Sequence, residues 1–380
     1  MGGERVSGEN LETLIRAIRV KNFKTLRDVT LPFAEGITVF VGANNSGKTN
    51  ALQLLKLIAR AVYLRVPQAL HELGGVKELL TRGSTGDFEY EIDAELDQFA
   101  VSYGVRYGKR SMDHREWLRG HDFKLEANGA GEMPQLDGLG PFRGEVGVAL
   151  QSYGDSEKAR PEIHALFEAI AEIGVYDLSP EAMRQPAVVK QAPILGPDGA
   201  ELAAVLDALP PQVREAIDQE VSKAANVRKV LTLPTPKSGE KVVGIYEATG
   251  ETFGAEQISD GLLLFIGLST ALQMRRTRKT IIAIEEPERG IHPRRLEQLV
   301  NQFWRLTEGG TQVVLTTHSP LVLDQFRDHP ESVMIFDRQG ADTRVTRLVD
   351  QPAWQDALEL NVRALGDIWY SGVLGGVPPP

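Results

Sequence analysis

The spacing of apolar and polar residues changes several times along this chain, and each change marks a predicted element. A short, mainly apolar run at 37–41 predicts a buried strand. A glycine-rich stretch follows, and apolar residues then recur at helical spacing over 50–62, which predicts an amphipathic helix. Residues 88–96 alternate strictly between apolar and acidic, which predicts a strand with one face on a core and the other in water.

The same two periods locate the remaining elements. Further strands are predicted at 14–20, 28–33, 101–107, 123–127, 227–233, 241–247, 280–284, 311–316 and 333–336, and helices at 161–173, 201–209, 211–225, 261–274 and 293–306. The alternating strands of the first half predict an antiparallel sheet, and 227–233 with 241–247 predicts a hairpin. Short apolar strands alternating with helices predict an α/β fold with a mixed or parallel core sheet.

The chain divides into four predicted parts, according to how clearly its helices and strands can be recognised from the sequence. Residues 1–107 contain the first strands and the glycine-rich loop, and 108–226 form an inserted, mainly helical segment with frequent Gly and Pro. Residues 227–350 return to regular structure, and 351–380 form a tail that ends in Gly and Pro. Neither an internal repeat nor a long heptad array is present, which excludes a long coiled-coil arm.

Composition narrows the classes of function. The 380 residues carry a net charge of −10, so we expect no generally basic nucleic-acid-binding surface, although a local basic groove stays open. The chain has no cysteine, which excludes disulfides and thiolate metal sites. We expect a cytoplasmic protein without a membrane partner, because no apolar run reaches the ~18 residues of a membrane span and residues 1–10 lack a signal-peptide core.

The glycine-rich stretch from Gly42 to Thr49 matches the phosphate-loop pattern G-x-x-x-x-G-K-[ST] at every fixed position, between a predicted strand and a predicted helix. Backbone N–H groups and the helix N-terminus hold phosphates in such loops. We expect Lys48 to reach the β- and γ-phosphates of ATP and the Thr49 hydroxyl to bind Mg²⁺. The predicted nucleotide-binding residues of this loop are Gly42, Asn44, Asn45, Ser46, Gly47, Lys48, Thr49 and Asn50.

A second motif is the apolar strand that ends in Glu285-Glu286-Pro287-Glu288. In phosphoryl-transfer sites such a strand delivers one carboxylate to Mg²⁺ and another to the attacking water. We assign the metal role to Glu285, directly or through a water, and the catalytic role on the water to Glu286. The alternative is a buried strand with an exposed acidic end. Glu288 is interpreted as solvated or structural rather than catalytic.

Two further stretches complete the candidate site. His318 follows the strand 311–316 and is placed to register a γ-phosphate, although a lone histidine is more often structural. Ser259, Asp260 and Gly261 precede a very apolar helix, whose capped N-terminus is a ready anion site. For residues 259–261 alone, a capped core helix is the preferred interpretation. The order of all four motifs along the chain favours function.

Together the motifs resemble an ABC-type P-loop ATPase of the SMC/RecF-like branch, closest to the ATPase domain of OLD-family proteins and the stand-alone AAA-type ATPases similar to it. The resemblance spans 14–347, with 108–226 weakly covered. It rests on 18–24, 42–49, 259–261, 285–288, 290–293 and 317–320.

The resemblance implies that two heads sandwich two ATP molecules, as a homodimer or a higher even assembly. Each ATP would lie between the Lys48 loop of one subunit and Ser259-Asp260-Gly261, the signature, of the other. It further implies that residues 290–292 are the D-loop, which crosses the interface, and that His318 is the switch histidine. The sequence departs from the general pattern in having Glu285 for Asp and Asp260 for Gly.

Two features expected of proteins in this family, the Q-loop and a nuclease module, are not identified in the sequence. The Q-loop residue is undefined, since Gln98 is better interpreted as a surface residue. About 60 residues follow His318, fewer than the ~100 of a typical domain, so we expect no OLD-type Toprim nuclease module. Asp337 and Asp342 are interpreted as turn residues.

The leading hypothesis is an ATP-hydrolysing switch that controls a separate effector, a nuclease or toxin in anti-phage defence or DNA metabolism. A second hypothesis is a DNA-repair ATPase that grips duplex nucleic acid itself. Its basic patch would be Lys21, Lys24, Arg275, Arg276, Arg278 and Lys279. A transporter ATPase subunit is a third possibility, which the signature and Glu285 disfavour.

Overall fold

A computed structural model describes residues 13–64, 66–96, 99–108, 114–121, 124–128, 161–189, 193–275, 280–359 and 364–377. The strands are β1 Thr13–Phe23, β2 Leu26–Pro32, β3 Ile37–Val41, β4 Phe88–Leu96, β5 Phe99–Tyr107, β6 His114–Arg119, β7 Lys124–Asn128, β8 Gly174–Tyr176, β9 Ala187–Val188, β10 Val227–Pro234, β11 Glu240–Glu247, β12 Thr252–Gly254, β13 Ile281–Glu285, β14 Gln312–Thr317, β15 Val333–Gln339 and β16 Asp342–Arg347. The helices are α1 Lys48–Tyr63, α2 Val66–Glu72, α3 Val76–Leu79, α4 Pro161–Ala171, α5 Pro180–Arg184, α6 Leu202–Ala208, α7 Pro211–Ala224, α8 Asp260–Arg275, α9 Leu296–Thr307, α10 Pro320–Asp324, α11 Pro352–Glu359 and α12 Leu365–Tyr370.

The core sheet has six strands in the order β16-β15-β3-β14-β13-β8. All neighbours are parallel except the β15–β16 pair at one edge. Every residue of β3 and β14 is buried, as expected for parallel strands covered on both faces. Because parallel strands share one carboxyl edge, the segments that follow β3, β13 and β14 come together there.

A second six-stranded sheet is antiparallel, in the order β2-β1-β4-β5-β6-β7. In β4 the apolar residues are buried and the acidic residues are half-buried. The strict alternation in the sequence therefore corresponds to a strand with one face on the core and the other towards solvent. On the outer face, basic residues of β1 pair with acidic residues of β4, including Arg19–Asp93 at 2.7 Å and Lys21–Glu89 at 3.2 Å.

Helix α1 lies between the two sheets. Its residues Leu52, Leu55 and Ile58 share one apolar core with Ile18 of the antiparallel sheet and Phe40 of the core sheet. This packing fixes the direction of α1, and with it the position of the loop at its N-terminus.

The opposite face of the core sheet packs on helices α8 and α9. Val39, Val41 and Ile284 share this second core with Leu263 of α8 and Phe303 of α9. A small sheet, β10-β11-β12 with β9 paired to β11, contacts helices α6 and α7. No helix among the described residues has the length and hydropathy needed to cross a membrane.

The fold agrees with the predicted class, an α/β head with a mixed core sheet and an antiparallel subdomain. The predicted bounds of β3 and β4 match, and the predicted hairpin is β10–β11. The predicted division into four parts stays a prediction. Strands β6, β7 and β8 lie inside the predicted insertion, and β8 pairs with β13 in the core sheet.

The interpretation of Asp337 and Asp342 as turn residues was wrong. Both are paired strand residues in the β15–β16 hairpin, where Asp337 lies opposite Arg344 and Asp342 opposite Gln339. The turn itself is only Gly340-Ala341, and Gly340 has φ of 63°. A turn this short leaves the flanking aspartates in the ladder.

Candidate functional site

The phosphate loop connects the buried strand β3 to α1, and two of its residues have a left-handed backbone conformation. Asn45 has φ of 65°, and Gly47, directly before α1, has φ of 111°. Asn tolerates this conformation and Gly adopts it without strain, so both residue types suit the loop for local reasons. The first residue of α1 is Lys48, as the motif requires.

The Lys48 side chain is 6% exposed and lies beneath its own loop. Its ammonium donates to the carbonyl oxygens of Gly42 at 2.6 Å and Ala43 at 2.9 Å. Burial lowers the pKa of Lys48, while the carboxylates of Glu286 and Glu285 act in the opposite direction. A buried cation beneath a loop of backbone N–H groups is suited to a phosphate.

The outer side of the loop packs closely on the β15–β16 hairpin. A Cβ on Gly42 would lie 2.3 Å from the Phe336 carbonyl oxygen, and one on Gly47 would lie 2.2 Å from Thr343 Oγ1. Thr343 Oγ1 donates to the Ser46 carbonyl at 2.8 Å. Packing against the hairpin therefore requires glycine at both positions, which the phosphate-loop motif alone does not indicate.

Two polar side chains support the loop from either side. Arg338 donates to the Asn45 carbonyl at 3.0 Å. The Asn50 amide donates to Thr25 Oγ1 at 2.7 Å, which engages one of its two amide N–H groups with the protein. Nucleotide contact by Asn50 stays a prediction. Arg338 and Thr25 belong to no phosphate-loop pattern, so no sequence motif indicates their role.

The acidic strand meets the phosphate loop at the carboxyl edge of the core sheet. Thr49 Oγ1 donates to Glu285 Oε1 at 2.5 Å. A cleft of about 320 Å³ lies here, lined by Asn44, Asn45, Gly47, Lys48, Thr49, Asn50, Glu285 and Glu286. A hydroxyl and a carboxylate in contact are the hard oxygen donors that Mg²⁺ prefers. The described residues contain no group of three or more His, Cys, Asp or Glu that could hold a metal ion.

Glu286 is held on both carboxylate oxygens. The His318 Nδ1 atom lies 2.8 Å from Glu286 Oε1, and an Arg289 nitrogen lies 3.6 Å from Oε2. Arg289 also pairs with Asp177, just after β8, at 3.2 Å. Glu286 has φ of 44°, and its N–H donates to the Thr316 carbonyl at 3.1 Å. The predicted catalytic glutamate and switch histidine are thus in direct contact.

Glu288 is half-buried, and its carboxyl group lies against the protein rather than in solvent, so the solvated interpretation of this residue was wrong and the structural one remains. Its Oε1 accepts from Thr317 Oγ1 at 2.5 Å. Its Oε2 is buried without a hydrogen-bond partner among the described residues. Burial raises the pKa of the Glu288 carboxyl.

The predicted signature caps α8 as expected. Ser259 Oγ accepts from the Leu262 N–H at 3.4 Å. Gly261 lies directly on the predicted D-loop, since a Cβ there would be 2.0 Å from the Gly290 carbonyl oxygen. The two segments that the resemblance assigns to the interface are therefore packed on each other within one chain.

An arginine outside the motifs holds the signature. Arg184, at the end of α5, donates to Asp260 Oδ1 at 2.6 Å and to the carbonyls of Ile258 at 2.8 Å and Ala255 at 3.2 Å. Sequence reasoning missed Arg184 because a single arginine in a weakly patterned region carries no periodic or motif signal.

Ser259, Asp260 and Gly261 do not line the 320 Å³ cleft of their own chain. The structure therefore brings together the phosphate loop, the acidic pair and His318, but not the signature. Completion of the site by a second subunit stays a prediction.

The predicted basic patch is only partly described. Lys21 is paired with Glu89, and burial lowers the pKa of half-buried Lys24. The side chain of Arg275 and residues 276–279 lie outside the described residues, as does Gln98.

Two family models match the chain. One, described as "AAA ATPase domain", matches residues 14–96, and the other, "AAA domain, putative AbiEii toxin, Type IV TA system", matches residues 148–324. The first match contains the phosphate loop, and the second contains the signature, the acidic pair and His318.

Among curated proteins, the chain is similar to DNA replication and repair proteins named RecF. It is 27% identical over 204 residues to RecF of Synechococcus sp. (strain JA-3-3Ab), a match to 51% of this chain and 48% of that protein. It is 25% identical over 134 residues to RecF of Leptospira biflexa, covering 35% of this chain and 32% of the relative. The matches thus span at most about half the length of these relatives.

Solved structures with a similar fold include heads of SMC proteins. An SMC head bound to the C-winged helix domain of ScpA matches with a TM-score of 0.54 and 13% identity, covering 87% of this chain and 96% of the other. A head with an extended coiled coil, bound to the C-terminal domain of ScpA derived from Pyrococcus furiosus, matches with a TM-score of 0.53 and 14% identity, covering 92% of this chain and 100% of the other.

The comparisons confirm the predicted resemblance to ABC-type ATPases of the SMC/RecF-like branch and the predicted fold class. The narrower resemblance to OLD-family ATPase domains stays a prediction.

Proposed function

We propose that this chain binds ATP with Mg²⁺, hydrolyses the ATP, and uses the cycle as a conformational switch. The observation that carries this proposal is the hydrogen bond of 2.5 Å between Thr49 and Glu285, which joins the phosphate loop to the acidic strand at one cleft. Both residues are the ones that the two motifs assign to Mg²⁺.

Each residue of the cleft has a distinct task in this proposal. Lys48 exchanges its carbonyl partners for phosphate oxygens, and the loop N–H groups bind the rest of the phosphate chain. Thr49 and Glu285 hold Mg²⁺, which when bound neutralises phosphate charge. Glu286 orients and polarises the attacking water. His318, which contacts the Glu286 carboxylate, registers the γ-phosphate.

The proposal includes a head-to-head homodimer or a higher even assembly around ATP. It is supported by the signature, which caps a helix N-terminus away from the cleft of its own chain. Such an N-terminus favours an anion, and a second subunit supplies one in the form of its bound ATP. Contact between Gly261 and Gly290 means that the signature and D-loop would reach the partner together.

We further propose that the switch acts on a separate effector, a nuclease or toxin in anti-phage defence or DNA metabolism. The matching family description that mentions an AbiEii toxin supports a toxin-type context. The SMC heads of similar fold are bound to ScpA, which supports the idea of a partner protein on such a head.

The second candidate, a DNA-repair ATPase that itself grips duplex DNA, is favoured by the similarity to RecF proteins. Ion pairs on the outer face of the antiparallel sheet argue against this face as a DNA surface, because Arg19 and Lys21 are already paired with carboxylates. A DNA affinity that falls steeply with salt would favour this candidate, since each phosphate contact releases counterions.

The direct test is Lys48→Ala. Loss of a buried cation from the phosphate site should weaken ATP binding roughly 100-fold or more, the scale of a few kcal/mol. The matched control is Lys77→Ala, at an exposed lysine of α3. Equal ATP affinity of the Lys48→Ala protein and the control would refute the assignment of the loop.

A further inference from the structure

Two segments at the carboxyl edge of the core sheet carry the proposed catalytic side chains. The acidic segment is residues 285–288, and the switch segment is residues 316–319. The strands that lead into them stay paired up to Glu285 and Thr316. Beyond that pair the Glu286 N–H donates to the Thr316 carbonyl at 3.1 Å, and side chains make the further contacts between the two segments.

The catalytic contact between these segments is exposed. His318 is 50% exposed at its side chain and Glu286 is 25% exposed. Water competes for both partners of such a pair, so its net contribution is small, about 0–1 kcal/mol. The Glu286–His318 hydrogen bond is therefore too weak to fix its own geometry.

A second contact between the same segments is buried. Glu288 Oε1 accepts from Thr317 Oγ1 at 2.5 Å, and Thr317 is fully buried. Thr317 Oγ1 in turn accepts from the Ser319 N–H at 3.0 Å. The Thr317 hydroxyl thus ties down the residues on both sides of His318, and Glu288 orients that hydroxyl.

Glu288 is costly for the fold, which points to a role other than stability. Its Oε2 is buried and has no hydrogen-bond partner in the part of the chain that the structure describes, and a buried, unsatisfied polar atom costs about 1–3 kcal/mol. An apolar side chain of the same volume would avoid that cost. A structural contact alone does not require a carboxyl group at this position.

We propose that Glu288 is a positioning residue for hydrolysis. Through Thr317, it holds His318 against Glu286, so that the acidic and switch segments move as one unit around the γ-phosphate. This inference rests on the proposed function of the cleft and adds a residue that neither the phosphate-loop nor the acidic-pair motif requires.

The test uses Glu288→Met, which removes the acceptor at similar volume, and Glu288→Gln, which keeps an oxygen acceptor for Thr317. The Met variant should lower kcat for ATP by about tenfold to 100-fold, the scale of a 1 Å misplacement, with KM and ATP affinity unchanged within about twofold. The Gln variant should restore most of kcat. Thr317→Val should lower kcat at least as much as Glu288→Met, because it also removes the acceptor of the Ser319 N–H. The double variant should fall no further than Thr317→Val, because the bond between Glu288 and Thr317 is already lost there.

The control is Glu297→Ala, at an exposed glutamate of α9, which should keep wild-type kcat. A Glu288→Met protein with wild-type kcat, or with a raised KM and an unchanged kcat, would overturn the positioning role. An additive loss in the double variant would also overturn it.

A readout independent of turnover separates this proposal from the proposed function. The ring ¹⁵N signals of His318, one of 7 histidines, can be assigned from the His318→Gln protein. Glu288→Met should shift the His318 Nδ1 signal towards that of a water-exposed ring, and Glu288→Gln should not. An unchanged His318 signal in the Met variant contradicts the positioning role. Absence of ATP turnover in the wild-type protein contradicts only the proposed function.

Discussion

The contact between the signature and the D-loop gives the sharpest prediction. Gly261 in α8 faces Gly290 so closely that an added Cβ would lie 2.0 Å from the Gly290 carbonyl oxygen and 2.9 Å from its carbonyl carbon. Both atoms belong to the backbone, so no flexible side chain can move aside. Gly261→Ala must therefore push the two segments apart by about 1 Å to reach an ordinary contact, at a cost of about 1–3 kcal/mol in the free energy of unfolding.

The same displacement should affect hydrolysis more than binding. A shift of 1 Å in a segment of the catalytic interface can cost about 100-fold in rate. The phosphate loop is untouched, so the ATP affinity of a single subunit should stay at the wild-type value. Gly261→Ala should thus bind ATP normally, turn it over about 100-fold more slowly and unfold at lower denaturant concentration.

Gly254→Ala is the matched control. Gly254 precedes the same signature, has φ of −85°, and has no atom within 4 Å of an added Cβ. The control should keep wild-type stability and turnover. Denaturant unfolding, equilibrium ATP binding and steady-state phosphate release measure the three quantities. Wild-type stability and turnover in Gly261→Ala would refute the close contact from which the prediction is derived.

Three other predictions concern residues around the cleft and the signature. Arg184→Met should lower ATP turnover about tenfold without weakening ATP binding, because Asp260 and two carbonyls lose their hydrogen-bond donor. The control is Arg82→Met, at an exposed arginine. Equal turnover rates of the two variants would contradict the role of Arg184 in holding the signature. Ser259→Arg should bind ATP as a monomer and fail to hydrolyse it, whereas normal turnover would exclude a composite site. Burial raises the folded-state pKa of Glu288, so the unfolded chain loses this proton at a lower pH than the folded protein does. The free energy of unfolding of the wild-type protein should therefore fall relative to that of Glu288→Gln as pH rises from about 4.5 through the folded-state pKa. A constant difference between the two unfolding free energies across this pH range would contradict the prediction.

The sequence predicted those parts of the site that lie within one short motif or at the end of a recognisable strand. The phosphate loop is eight consecutive residues. Glu285 ends the buried strand β13, and His318 directly follows β14 of the same sheet. Because parallel strands share a carboxyl edge, sequence order alone places these groups near one another.

The parts of the site that the sequence did not predict depend on contacts between segments that are far apart along the chain. Arg184 and Asp260 are 76 residues apart, and Thr317 and Glu288 are 29 apart. Neither pair has a fixed spacing that a pattern could contain. Gly42 and Gly47 were predicted correctly as loop residues, but their packing on Phe336 and Thr343 depends on a hairpin at the far end of the chain.

Two missed strands have simple physical explanations. β8 has only three residues, too few to show a period. β16 reads Asp-Thr-Arg-Val-Thr-Arg and contains one apolar residue, because its position at the edge of the sheet leaves most of its side chains partly exposed. The fold class was accessible from the sequence because it rests on the short, mainly apolar strands β3, β13 and β14 in the middle of the core sheet.

The central claim is that ATP joins two of these chains head to head. The most direct test is the mass in solution of the Glu286→Gln protein, with and without ATP and Mg²⁺. This variant keeps the phosphate loop and should hold ATP without hydrolysing it, so closed assemblies should accumulate. The proposal predicts a shift from monomer to dimer, or to a higher even assembly, when ATP and Mg²⁺ are added. A protein that binds ATP but stays monomeric at every concentration tested would contradict it.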